Sequence, residues 1–374
     1  MQNDMIDFLI RILQKESITP NECGIFDLIK AELSDFKVIA LDKNGVKNIF
    51  LYKDFSPHKN PKFHLCFAGH IDVVPSGEGW SYPPFGGVID DGVIYSRGVC
   101  DMKGGIASFV YAIKEVKSFS GILSILLTSD EEGDGIYGTK IMLEHLKNID
   151  FLPDFALVAE PTSSKILGDV VKVGRRGSIN GKLKIIGKQG HVAYPNKCIN
   201  PVDLIAPLLP KLSNIALDSG DDNFLESRLI ITNIKSGMGV VNVVPNDLEI
   251  MFNVRNNPLT TQESIKQYLD SVFYPLAYSL ELKQSSYPFI TESKILIESI
   301  KSAIRNIANI DCILDTSGGT SDARYFSSFG IDVIELGLLN DSIHAIDENS
   351  RIDDIIKLRD IFGDFIKRLE SSVE

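Results

Sequence analysis

Apolar residues near the amino end fall on one helical stripe: Met5, Ile6, Leu9, Ile10 and Leu13 predict a helix over 5–15. The run at 63–68, FHLCFA, is short, largely apolar and bounded by Gly69, the pattern of a buried strand. Helical spacing returns after Gly104-Gly105, with Ile106, Phe109, Val110, Ile113 and Val116. A second buried strand is predicted at 122–127 (ILSILL), a helix at 137–147 and a third strand at 155–159 (FALVA). Strands that alternate with helices predict a largely parallel sheet covered on both faces.

The pattern changes after Gly174-Arg175-Arg176-Gly177. Residues 178–187 alternate apolar and polar positions, as a half-buried antiparallel strand does. Asn200-Pro201 opens a helix that Pro207 and Pro210 must shorten or kink. Two further strands at 228–235 and 247–254 and a helix at 261–274 complete a small α+β block. Beyond about 290 the chain returns to helix, loop, a strand at 332–336 and helix. The expectation is an α/β domain built from 1–176 and 289–374, with a mixed, mostly parallel sheet flanked by helices. An α+β domain at 177–288 is inserted into it.

Composition narrows the class. The 374 residues are 44% hydrophobic and 24% charged, an ordinary globular mixture. A net charge of −12 lacks the basic field of a general nucleic-acid binder. The five cysteines (Cys23, Cys66, Cys100, Cys198 and Cys312) are odd in number and widely spaced, which suits reduced thiols. The amino-terminal residues lack the basic and apolar regions of a signal peptide, and no apolar run is long enough to span a bilayer. A cytoplasmic protein with no membrane or nucleic-acid partner is expected.

The candidate chemistry sits where strands end. The 63–68 strand runs into His70-Ile71-Asp72, the 122–127 strand into Asp130-Glu131-Glu132, and the 155–159 strand into Glu160. Asp101 precedes the Gly104-Gly105 turn, and His344 follows the 332–336 strand. Open α/β sheets bind ligands at the carboxyl ends of their strands, so these groups can converge. Singly, each has a mundane reading: a structural histidine, a helix cap, a solvated Glu-Glu pair. Together they form the His and carboxylate inventory that Zn²⁺ takes, sufficient for a two-metal hydrolytic site with a free base. Asp72, two residues after His70, is placed to hold that imidazole from behind.

The segments GHIDVVPSGEGW (69–80), YSRGVCDMKGG (95–105), TSDEEGDGIYGT (128–139), VAEPT (158–162) and GRRGS (174–178) resemble the two-zinc metallopeptidase family. That family includes aminoacylases, carboxypeptidases and acetylornithine deacetylases. Within it, GKQGHVAYP (187–195), NVVPN (242–246), TSGGTSDAR (316–324) and SIHAIDE (342–348) are similar to the branch acting on N-succinyl-diaminopimelate. The resemblance runs in order along nearly the whole chain. It implies two Zn²⁺ per subunit, with Co²⁺ or Mn²⁺ also suited to these ligands. Asp101 would bridge the metals, His70 and Glu160 would hold one, and Glu132 and His344 the other. Glu131 would be the general base, with Asp72 behind His70. His191 would stabilise the oxyanion from the partner subunit of a homodimer, which makes the insert a dimerisation or lid domain.

The implied reaction is hydrolysis of N-succinyl-LL-2,6-diaminopimelate to succinate and LL-2,6-diaminopimelate in lysine and diaminopimelate biosynthesis. A related zinc amidase, an acetylornithine deacetylase or a dipeptidase, is the alternative. Arginine forks suit the substrate carboxylates, and Arg175, Arg176 and Arg255 are the candidates. Asn242, Ser178, Gly319, Thr320 and Ser321 are their hydrogen-bonding neighbours. Two departures stand out. Cys100 occupies a place where the family carries a small residue and is read as packing. Asn256-Asn257-Pro258 is less like the family than the rest.

Overall fold

The computed structural model describes residues 2–56 and 62–373. The chain packs as two compact units. The first comprises residues up to Gly174, Ile290–Asp315 and the chain from Ser321 on; the second comprises Arg175–Phe289 and Thr316–Thr320. The 316–320 segment, expected in the larger domain, therefore packs with the second unit.

The first unit is built on an eight-stranded sheet. Its strands, in spatial order, are Lys37–Lys43, Val46–Asp54, Ile122–Thr128, His64–His70, Phe155–Val158, Asp332–Glu335, Val170–Lys172 and Ile313–Asp315. The strands Ile122–Thr128, His64–His70, Phe155–Val158 and Asp332–Glu335 run parallel to their neighbours within this group. The outer pair is antiparallel. Every residue of His64–His70 and Ile122–Thr128 is buried, which is why their sequences are mostly apolar, and the buried His64 and Ser124 are hydrogen-bonded to each other at 2.7 Å. Phe67 packs its ring within 5.6 Å of Phe109 and 5.5 Å of Phe362, centroid to centroid. Those two rings come from the helices Gly104–Lys114 and Ile352–Val373.

The edge hairpin joining Lys37–Lys43 to Val46–Asp54 escaped the pattern reading. Its turn is Asn44-Gly45, both in the left-handed region at φ 51° and 83°. That is the two-residue turn whose twist matches paired strands, and the Asn-Gly dipeptide is its signal.

The second unit holds a five-stranded antiparallel sheet, Ile215–Ala216, Arg228–Ser236, Asp247–Arg255, Ser178–Ile186 and Tyr278–Ser286 in spatial order. Ile179, Leu183, Ile185, Ile250, Phe252 and Val254 bury one face against Ile265, Leu269 and Phe273 of the helix Gln262–Phe273. That helix starts at a capping box in which Thr261 accepts from the Ser264 amide and Ser264 from the Thr261 amide. A Cβ on Gly181 would stand 2.0 Å from the Phe252 ring, so any larger residue there must displace that ring. The prolines act as expected: the helix opened by Pro201 ends at Ile205, and a 3₁₀ turn covers Leu209–Lys211.

Candidate metal centre

Three parallel neighbours, Ile122–Thr128, His64–His70 and Phe155–Val158, end side by side. Their carboxyl ends deliver Glu131 and Glu132, His70 and Asp72, and Glu160 to one place, as a parallel sheet requires. Asp101 arrives on the loop before the helix Gly104–Lys114, and His344 on the loop after Asp332–Glu335.

The donors form two groups that share Asp101: His70, Asp101 and Glu160, and Asp101, Glu132 and His344. His70 Nε2 lies 3.1 Å from Asp101 Oδ1 and 3.9 Å from Glu160 Oε1. On the other side, His344 Nε2 lies 3.4 Å from Asp101 Oδ2 and 2.8 Å from Glu132 Oε1. Each oxygen of Asp101 thus faces a different group, the geometry of a bridging carboxylate.

His70 Nδ1 donates to the backbone carbonyl of Asp72 at 2.9 Å. A carbonyl only accepts, so Nδ1 carries a hydrogen; Nε2 carries one as well in the metal-free chain and donates to Asp101, and it is the nitrogen that would become free to ligate when that proton leaves. The expected hold of Asp72 on the imidazole therefore runs through its backbone; its carboxylate stands 3.7 Å from Nδ1. That fully buried carboxylate instead accepts from Thr19 Oγ1 at 2.6 Å and from the Glu132 amide at 3.1 Å, fixing the Glu131-Glu132 turn.

A cation fits these donors. Glu160 Oε1 is buried and has no hydrogen-bond partner, a costly state for a carboxylate oxygen. The remaining charges compete for protons. Burial, and then the charges of Asp101 and Glu131, hold the Glu160 carboxyl well above its usual range. Burial is also the first cause lifting Glu131 to about 8; His70 opposes it, and Asp322, Asp101 and Glu132 add to it. For His344, hydrogen bonds to Asp101 and Glu132 raise the imidazole to about 10. Burial disfavours a charge on Asp101, yet His344 and His70 hold its carboxyl well below the ordinary range. Protons shared among His and acids stand where cations would.

Cys100 is buried, with its thiol donating to the Asn349 carbonyl at 2.8 Å, which agrees with packing. Two residues given no role by the sequence reading support the centre. Glu348 is fully buried and Arg97 nearly so, and they pair at 2.8 Å beneath the Asp101 loop. Their motifs, YSRGVCDMKGG and SIHAIDE, were visible, but nothing in either one points to the other.

The remaining expected site residues fall mostly in the second unit. His191 is exposed there, and its Nδ1 accepts from the Ala193 amide at 3.1 Å. Arg175 is buried and donates to the Ser317 carbonyl at 3.3 Å. Arg176 Nε is buried without a hydrogen-bond partner. Asn242 is exposed, Arg255 ends the Asp247–Arg255 strand, and Gly319 and Thr320 lie on the loop bonded by Arg175. Ser321 belongs to the first unit, is fully buried, and gives its hydroxyl to Glu335 at 2.6 Å.

Comparison with known proteins agrees with this architecture. The chain is 50% identical over 366 residues to a succinyl-diaminopimelate desuccinylase of Aliarcobacter butzleri, covering 97% of this chain and 99% of that one. It is 51% identical over 356 residues to the enzyme of that name from Sulfurimonas denitrificans, covering 95% and 96%. The fold matches the crystal structure of aminopeptidase PepT from Bacillus cereus with a TM-score of 0.82 at 19% identity, covering 99% of both chains. With residues 66–368 matching its model, the chain belongs to Peptidase family M20/M25/M40.

Proposed function

We propose that the chain hydrolyses N-succinyl-LL-2,6-diaminopimelate to succinate and LL-2,6-diaminopimelate, as a cytoplasmic homodimer holding two Zn²⁺ per subunit. The observation that carries the reaction is half-identity over nearly the full length to relatives named for it. The observation that carries the metals is the pair of donor groups joined by Asp101. Among the described residues no helix is long and apolar enough to cross a membrane.

In this reading His70 and Glu160 hold one cation, Glu132 and His344 the other, and Asp101 both. Bound there, the cations would polarise the amide carbonyl and lower the pKa of the attacking water. Glu131 takes the water's proton and returns it to the leaving amine. A carboxyl raised by burial is a stronger base than a solvated one, and cations nearby bring its pKa back toward neutrality. The Asp72 carboxylate keeps the backbone beneath Glu131 in place.

His191 supplies the oxyanion donor, from the partner subunit. Its Nδ1 accepts from Ala193, so the neutral ring carries its hydrogen on Nε2, the nitrogen a donor needs. Arg176, with a buried Nε that has no partner, and Arg175 and Arg255 receive substrate carboxylates.

Side-by-side turnover of N-succinyl-diaminopimelate, N-acetylornithine and a simple dipeptide tests the assignment. The succinyl substrate should dominate by kcat/KM. Clear preference for either other substrate transfers the chain to a sibling amidase with the same metal centre.

A further inference from the structure

One buried ion pair touches both halves of the metal centre without supplying a ligand to either. Both oxygens of Glu348 are saturated by the loop that carries Asp101. Oε2 accepts from Arg97 Nη1 at 2.8 Å and the Gly98 amide at 3.0 Å. Oε1 accepts from the Cys100 amide at 2.8 Å and the Asp101 amide at 3.3 Å. The other terminal nitrogen of Arg97 donates to the carbonyls of Ser76 at 3.2 Å and His344 at 3.3 Å. The guanidinium lies 5.2 Å from the centre of the Trp80 ring, which restricts its other movements.

The two loops held in this way have little slack of their own. Gly98 sits at φ 84°, and a Cβ there would meet Val73 Cγ1 at 2.5 Å. His344 has a left-handed backbone at φ 59°, uncommon for a residue with a side chain and dependent on its surroundings. In contrast, His70 and Glu160 stand at the ends of buried strands, and His70 is oriented by the Asp72 carbonyl.

We infer that Arg97 and Glu348 are the positioning pair for the two donor groups, with Glu348 placing the shared donor Asp101 and Arg97 placing His344. The inference rests on the two-cation reading above. It carries an asymmetry. Weakening the reach of Arg97 to the His344 carbonyl loosens the cation held by Glu132 and His344 and spares the one held by His70 and Glu160. Weakening Glu348 loosens both, because Asp101 serves both.

The test is calorimetric titration of Zn²⁺ into metal-stripped wild type, Arg97→Lys and Glu348→Gln, each checked for folding by circular dichroism. Lysine keeps the charge opposite Glu348 but cannot span three acceptors with one ammonium. Wild type should bind two cations. Arg97→Lys should keep one at wild-type affinity and bind the other about 10–100-fold more weakly, the size expected for loss of an outer partner. Its kcat should recover in excess Zn²⁺, because every ligand is intact; a general packing defect would give neither the split nor the rescue. Glu348→Gln should weaken both cations, and if it fails to fold, Arg97→Lys decides alone. Equal loss of both cations in folded Arg97→Lys, or wild-type affinity for both, overturns the inference. Wild type binding fewer than two cations overturns the two-cation reading itself, and that result is seen before any variant is compared.

Discussion

The two donor groups around Asp101 are made in different ways. His70 and Glu160 stand at the ends of strands buried in the centre of the sheet, and the His70 side chain is 1% exposed. Glu132 lies in a turn beyond the Ile122–Thr128 strand, and His344 stands on a loop with its side chain 50% exposed. Sheet geometry positions the first group directly, since parallel neighbours end together. Loop geometry must be fixed by partners far along the chain: Asp72 beneath the Glu131-Glu132 turn, and Arg97 and Glu348 beneath Asp101 and His344. Strand ends alone place His70 and Glu160, whereas Asp101, Glu132 and His344 need loop contacts to reach the same place.

Removing the residue that the two groups share should have the greatest consequence. Asp101→Ala should take cation stoichiometry from two to none and reduce turnover to background, measured by metal analysis after gel filtration. One retained cation would show that Asp101 is terminal and not bridging.

Next comes the proposed base. Glu131→Gln should lower kcat by about 10²–10⁴-fold while both cations stay bound. Unchanged kcat would remove Glu131 from the reaction, and loss of a cation would make it a ligand.

A finer contrast pits one histidine against the other. His344→Ala should lose the cation shared with Glu132 and keep the buried one. His70→Ala should lose the buried cation and leave an uncompensated cluster of acids, so its melting temperature should fall further than that of His344→Ala. Equal melting temperatures would mean that the two groups are not built differently.

The smallest effect is a pH dependence. In the metal-free chain Glu131 is raised from 4.5 to about 8 and His344 from 6.5 to about 10. The folded state then binds more protons than the unfolded state between each pair of values, so these groups lose stability as pH rises through those windows. Cations displace the protons. The melting temperature of the loaded chain should therefore pull away from that of the stripped chain between about pH 6 and 9, by thermal scans in matched buffers. A gap that narrows with pH would contradict the proton-sharing account of the cluster.

The same division decides how much the sequence could tell. Strands buried on both faces leave largely apolar runs, so the runs ending near His70, Glu131 and Glu160 were legible with the chemistry at their ends. The Asn44-Gly45 hairpin carried a readable turn signal but lies on the antiparallel edge, away from the alternating strands and helices that organised the reading. Other features had no local signature. The Arg97 and Glu348 side chains meet across 251 positions. Whether Asp72 holds His70 by its carboxylate or its carbonyl depends on a loop geometry that spacing cannot fix. Ser321 sits within a motif of polar neighbours, yet its hydroxyl is spent on buried Glu335. Motif membership places a residue near a site; only packing says which way its side chain is used.

Succinate release from N-succinyl-LL-2,6-diaminopimelate by metal-stripped protein titrated with Zn²⁺ tests the reaction and its metal requirement together. No release is expected without metal, with a rise that levels off at two Zn²⁺ per chain. Release that ignores the metal, or none with two Zn²⁺ bound, would contradict it.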